Sequence, residues 1–216
     1  MKVIAINGSP RKSWNTATLL TKALEGAVSA GMEAELVHLY NLDFKGCVSC
    51  FACKTLGGPS YGKCGYKDDM TPVLERIAEA DALLLGSPIY FGSVTGEMHS
   101  FLERLLFQYF TLTNPLGTLF KRTMKNAFIY TMGITEEQTK EYGYKYIFKS
   151  NEFYLRMAFG HAESFYSYDT CQFNDYSIVL ADRYDPAHKA KRRLEAFPRD
   201  CERASELGIR LASSAV

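Results

Sequence analysis

The chain holds 216 residues with 25 basic and 24 acidic side chains, a net charge of +1, and 47% hydrophobic residues. That length suits one domain with a full core, and the balanced charge argues against nucleic acid as a main partner. The apolar run Val3 to Ile6 is far too short for a signal or membrane segment, so a cytoplasmic protein with no membrane partner is expected.

Lys2 to Ile6 is an apolar, β-branched run with the length of one buried strand. A polar turn, Asn7 to Thr16, leads into an amphipathic helix whose inner face carries Leu19, Leu20, Ala23, Leu24, Ala27 and Val28. Glu35 to Leu39 predicts a second strand. Thr71-Pro72 predicts a helix start with Thr71 as N-cap and Val73, Leu74, Ile77 and Ala78 turned inward. Asp81 to Gly86 is nearly all apolar, as expected of a strand buried on both faces. Apolar residues from Met98 to Tyr109 fall at helical spacing. Ala127 to Thr131 reads as a fourth strand and Glu163 to Tyr168 as a weaker fifth. The stretch 134–162 predicts an α-rich insertion, and Ala187 to Ala212 a helical tail broken near Pro198. Lys189 to Arg193 is expected as a solvated basic face. Strands alternating with helices make a parallel sheet covered on both faces, with residues 1–216 as a single domain.

In such a sheet ligands bind beyond the carboxyl ends of the strands, so the turns after strands one, three and four should converge. The first turn ends on a helix N-terminus, which offers unpaired N–H groups and partial positive charge. Ser9, Ser13 and Thr16 add hydroxyl donors and Arg11 a fork-shaped cation, a set suited to phosphate. Neither a G-x-x-x-x-G-K-[ST] loop nor a G-x-G-x-x-G fingerprint is present, and a hydroxyl-and-amide loop suits a terminal phosphomonoester. The plainer alternative is an ordinary polar turn with Asn15 or Thr16 as helix cap. The second turn, 86–96, places Tyr90 and Phe91 between glycines, a pattern that suits a flat heterocycle; core packing is its alternative. The third, Thr131 to Thr135, adds a glycine and two hydroxyls. One phosphate loop with two ring-wrapping loops points to a mononucleotide with a large planar ring, and FMN is the natural candidate.

Asn-Gly-Ser-Pro-Arg-Lys-x-x-Asn-Thr at 7–16 resembles the phosphate loop of the NAD(P)H-dependent FMN reductases, which have the flavodoxin-like fold. Gly-Ser-Pro-Ile-Tyr-Phe-Gly at 86–92 resembles their flavin-ring loop. The resemblance implies a flavodoxin-like three-layer sandwich, with helices on both faces of a five-stranded parallel sheet. It also implies NAD(P)H as co-substrate and FMN phosphate contacts from Ser9, Arg11, Ser13, Asn15 and Thr16. Ring contacts would come from Pro88, Ile89, Tyr90, Phe91 and Gly92, with Thr131, Met132 and Gly133 closing the site. One departure is Trp14, where the family usually has glycine; its backbone N–H remains available.

Four of six cysteines, Cys47, Cys50, Cys53 and Cys64, lie in one stretch after the second strand. A reducing compartment makes a disulfide framework unexpected. Two-residue gaps let successive thiolates converge on a metal or cluster. With Gly46 and Asp68-Asp69-Met70, they resemble the branch that contains the iron-sulfur flavoproteins, which implies a four-iron, four-sulfur cluster on those four thiolates. Ten residues separate Cys53 from Cys64, however, and cluster-bearing relatives have a tighter last gap. That gap tips the expectation toward reduced thiols without metal, with the cluster and a structural zinc as the alternatives. Cys171 and Cys201 carry no assigned role.

The expected function is FMN-dependent electron transfer from NAD(P)H to a small acceptor such as a flavin or quinone. The isoalloxazine does the chemistry, so no acid/base residue is required. Two alternatives remain: an iron-sulfur flavoprotein taking single electrons from a ferredoxin-like donor, and a flavin-binding thiol redox sensor. Near-neutral charge favours a small-molecule enzyme over the acidic flavin carriers that steer to basic partners. Phe107 and Phe110, with Tyr142, Tyr144, Tyr146, Phe148, Phe153 and Tyr154, predict a homodimer or tetramer that closes the pocket.

Overall fold

A computed structural model of the chain describes residues 1–213. Its strands are β1 (Lys2–Asn7), β2 (Glu33–His38), β3 (Ala82–Tyr90), β4 (Ser93–Val94), β5 (Lys125–Thr131) and β6 (Glu163–Ser167). Five of them pair in parallel in the order β2-β1-β3-β5-β6, the flavodoxin-like arrangement. The helices are α1 (Asn15–Ser29), α2 (Met70–Glu79), α3 (Gly96–Phe107), α4 (Glu136–Glu141), α5 (Lys145–Phe159), α6 (Pro186–Lys191) and α7 (Phe197–Ala212).

Period-two alternation divides the core. Val3, Ala5, Leu84 and Ile129 face α1 and α7, where Leu20, Ala23 and Leu207 meet them. Ile4, Ile6, Leu85 and Phe128 face the other way, toward Leu74 of α2, Phe101 of α3 and Phe159 of α5. Burying each such aliphatic side chain contributes ~1.5–3 kcal/mol. Two glycines let α1 and α7 touch through backbone. A Cβ on Gly208 would stand 1.7 Å from the Ala23 carbonyl oxygen, and one on Gly26 2.0 Å from that of Ser205.

Several expectations need correction. A sixth strand is present: β3 runs on to Tyr90 and folds back antiparallel into β4, pairing Ile89 with Val94 and Tyr90 with Ser93. Phe91 (φ 49°) and Gly92 (φ 81°) make this two-residue turn. Its sequence lacks the Asn-Gly signature of such turns, so it reads as loop. Thr71 lies inside α2 rather than at its cap; the Asp68 side chain accepts the Met70 N–H at 3.0 Å. The tail divides at a π-helical turn, Arg192–Ala196, and Pro198 sits in the first turn of α7, where its missing N–H is harmless. The segment 134–162 supplies α4 and α5, and α5 packs on the sheet between β5 and β6. Lys189 is 2% exposed, not solvated. Its ammonium donates to the Gly133 carbonyl at 2.7 Å and pairs with Asp169. The α7 helix packs on α1 and leaves the outer aromatics of α5 uncovered: Tyr146 and Phe153 are exposed.

Candidate active site

The carboxyl ends of β1, β3 and β5 enclose a cleft of about 160 Å³. From the first turn it takes Ser9, Arg11, Asn15 and Thr16; from the end of β3, Pro88, Ile89 and Tyr90; after β5, Thr131, Met132 and Gly133. Ten of the thirteen residues expected at a cofactor thus share one cleft. The other three do not line it. Ser13 opens on an adjoining groove, Phe91 stands fully exposed on the β3–β4 turn, and Gly92 lies beside the Tyr144 ring.

The first turn is tied down by its own polar groups. Asn7 accepts the Ser9 N–H at 3.0 Å, and the Ser9 hydroxyl accepts the Arg11 N–H at 3.1 Å. The Asn7 amide donates to Nδ1 of His38 at 2.8 Å, which requires that nitrogen unprotonated. Burial, then the nearby Lys12 charge, holds the His38 pKa below its ordinary value. Thr16 and Thr131 share a hydroxyl bond of 2.7 Å that joins the first turn to the third. Thr95 caps α3 and donates to the Gly8 carbonyl at 2.6 Å, joining the first turn to the second.

A fourth segment, missed in the sequence, completes the wall. Thr170, Cys171 and Gln172 follow β6 and line the same cleft. Arg11 donates to the Gln172 carbonyl at 2.5 Å, and Asn15 to the Cys171 carbonyl at 2.7 Å. The Trp14 indole N–H also donates to Cys171, at 3.0 Å. The guanidinium groups of Arg11 and Arg193 lie over its ring, 4.8 Å and 4.5 Å from the ring centroid. Trp14 therefore serves as the anchor of this strap. One signal was available: the turn after the fifth parallel strand opens at the same end of the sheet as the other three.

The residues fit FMN. The α1 N-terminus has neither a side-chain cap nor an acidic residue in its first turn, which leaves its N–H groups to an outside anion. Gly133 offers a bare Cα, on which the Gln172 amide already rests.

A second site lies beside α3. Cys47, Cys50, Cys53 and Cys64 line one small cavity with Arg104, Phe107 and Gln108. Cys64 reaches it because the intervening loop doubles back, with the Gly62 N–H bonded to the Cys53 carbonyl at 3.0 Å. The ten-residue gap therefore does not hold Cys64 apart. Ser49 (φ 52°) and Phe51 (φ 56°) adopt left-handed backbone on either side of Cys50, a strained conformation that sharpens the turn. Gln108 accepts the Cys64 N–H at 3.0 Å, and Glu103 that of Cys47 at 3.0 Å. Lys54 pins the loop to the Phe107 and Phe110 carbonyls at the end of α3. Arg104, 1% exposed, pairs with Asp68 at 2.5 Å, while its Nε is buried without a partner. Burial would lower the Arg104 pKa, but Asp68 and then Cys64 outweigh it and hold it above its ordinary value. Burial pushes the Cys53 thiol up. Among the described residues no group of three or more His, Cys, Asp or Glu side chains is placed to hold a metal ion. Four thiols around one small cavity are the donor set that a four-iron cluster uses.

Residues 1–125 match the family model for NADPH-dependent FMN reductase. The chain belongs to this family. An iron-sulfur flavoprotein of Archaeoglobus fulgidus is 44% identical over 104 residues, 48% of this chain and 48% of that protein. An iron-sulfur flavoprotein of Methanocaldococcus jannaschii is 38% identical over 104 residues, 48% and 51% of the two chains. The chain thus matches about half the length of these relatives. Over the whole fold, an NAD(P)H:quinone oxidoreductase from Methanothermobacter marburgensis superposes with a TM-score of 0.72 at 18% identity, covering 98% of both chains. An FMN-dependent NADH-azoreductase from Bacillus anthracis, solved with FMN, gives 0.66 at 14% identity, covering 99% and 100%. Identities this low speak to fold alone.

Proposed function

We propose that this FMN reductase family member binds FMN in the cleft at the ends of β1, β3 and β5 and passes electrons from NAD(P)H to a small oxidised acceptor. The carrying observation is the convergence of ten residues from three separated turns on that one cleft. Ser9, Arg11, Asn15, Thr16 and the first turn of α1 would hold the phosphate. Arg11 and Asn15 now bond neutral carbonyls, and a doubly charged phosphate is the stronger acceptor. The enclosed 160 Å³ suits the polar tail. The exposed hairpin at Tyr90 and Phe91 leaves one side of the mouth open to a second flat molecule. FMN, when bound, supplies the ring that takes electrons pairwise from the nicotinamide and gives them to the acceptor. The chain's own residues bind, orient and shield it. The test is steady-state oxidation of NADH and NADPH by the yellow protein with quinones or free flavin. Activity that rises with FMN occupancy supports the reading, and a flavin-loaded protein that oxidises neither dinucleotide refutes it.

The cysteine cavity favours a second reading, in which Cys47, Cys50, Cys53 and Cys64 hold a four-iron cluster that exchanges single electrons with a ferredoxin-like donor. The return of Cys64 to the other three supports it, as do the names of the relatives. The α3 helix carries both sites on one rigid element: Thr95 at its cap bonds Gly8, and Arg104 and Gln108 near its end face the cysteines. The exposed aromatics of α5 and the hairpin further support a homodimer whose partner covers the open mouth.

A further inference from the structure

We infer that Gln172 is a cofactor-binding residue whose side-chain amide donates a hydrogen bond to an acceptor on the flavin ring, oriented for that task by Tyr176 and Tyr184. The inference rests on the flavin reading of the cleft and extends it to a segment outside the stretch that the family model matches. Gln172 lies in the cleft wall, against Gly133. A Cβ on Gly133 would fall 1.3 Å from its Nε2, so the amide rests directly on the bare Cα of the third turn. Any side chain at 133 would evict it.

The amide is held at both ends. Tyr176 donates its hydroxyl to Oε1 at 3.0 Å and accepts the Gln172 backbone N–H at 3.1 Å. The Tyr184 hydroxyl accepts from Nε2 at 3.4 Å. Edge-on contacts of Tyr176 with Phe173 and with Tyr184 fix the tyrosines, and the Lys189 ammonium lies 4.8 Å from the Tyr184 ring. An amide nitrogen carries two N–H bonds. Tyr184 uses one, and the other remains for the cleft. This is a pre-oriented donor on a bare glycine, which suits the carbonyl and ring-nitrogen acceptors of an isoalloxazine edge and not a phosphate. Phosphate donors already cluster around Arg11 and Asn15, whose strap contacts are to backbone carbonyls and not to this amide.

Ring and tail contacts separate experimentally, because riboflavin has the ring and lacks the phosphate. Titrating apo-protein with FMN and with riboflavin should show Gln172→Met weakening both by the same factor, roughly three- to tenfold for one lost neutral hydrogen bond. Tyr176→Phe keeps the ring packing and removes only the orienting hydroxyl, so it should weaken both ligands alike and by less. In the Gln172→Met complex the visible flavin bands should also shift relative to wild type. Equal wild-type and Gln172→Met affinities, or a loss confined to FMN, would overturn the inference and leave the flavin reading intact. Wild-type protein that binds neither ligand would overturn both.

Discussion

Asn15, the first residue of α1, donates its side-chain amide to the carbonyl of Cys171 at 2.7 Å, across 156 residues of chain. That bond closes the cleft. It joins the turn richest in phosphate donors to the strap that follows the last strand, and it makes the cleft a product of both halves of the chain.

The strap was illegible for a physical reason. Thr170 to Gln172 has no periodicity, and its partners Arg11, Trp14 and Asn15 are contacts of very long sequence separation. Nothing local encodes such a pairing. By contrast, Val3 to Ile6 and Ala82 to Leu85 are central strands buried on both faces, and continuous apolar runs announce that directly. The β3–β4 hairpin was hidden because Phe91 takes a left-handed turn position that glycine or asparagine ordinarily marks. Lys189 misled by composition: with Lys191, Arg192 and Arg193 close behind it the run looks solvated, yet Asp169 and Gly133 draw its ammonium inside. The place of Cys64 could not be read from the length of the gap, because a loop of Gly57 to Gly62 costs little to double back.

Stability should fall with acid through His38. Its folded pKa is lowered from 6.5 by burial and Lys12, so the unfolded chain takes up the proton first. The contribution is intact above pH 6.5 and is lost as pH drops below that value toward the folded pKa. His38→Gln retains an acceptor for the Asn7 amide and removes the titration. Thermal melts between pH 5 and 8, a range of about three units around the ordinary imidazole pKa, should therefore show a shallower acid slope in the variant. Parallel slopes would assign the acid sensitivity elsewhere.

Gly208→Ala should destabilise, although alanine is the better helix former by about 1 kcal/mol. The added methyl would meet the Ala23 carbonyl at 1.7 Å and force α7 away from α1. A net loss of about 1–3 kcal/mol is expected by denaturant unfolding. An unchanged or raised midpoint would mean that the two helices separate freely.

Light scattering at micromolar concentration should report a dimer or tetramer, since Tyr146 and Phe153 on α5 and Phe91 on the hairpin remain uncovered by α7. Tyr146→Glu with Phe153→Lys should shift the mass to monomer. A monomeric wild-type mass removes this expectation.

On the cluster reading, protein kept free of oxygen and supplied with iron and sulfide should take up about four of each per chain on the four cysteines that line one cavity. Cys50→Ala should lose them and still bind FMN, because the phosphate donors sit at the end of a different strand. Absence of iron uptake under those conditions would leave four free thiols and the two-electron reading alone.

On the proposed function, the turn from Ser9 to Thr16 holds the phosphate of a flavin mononucleotide. The direct measurement is the affinity of apo-protein for FMN and for riboflavin, in wild type and in the Arg11→Ala, Asn15→Ala double variant. Each lost charge-assisted bond costs about 1.5–3 kcal/mol, roughly tenfold or more in Kd. The double variant should lose at least about a hundredfold for FMN and far less for riboflavin. Equal losses for the two ligands would contradict it.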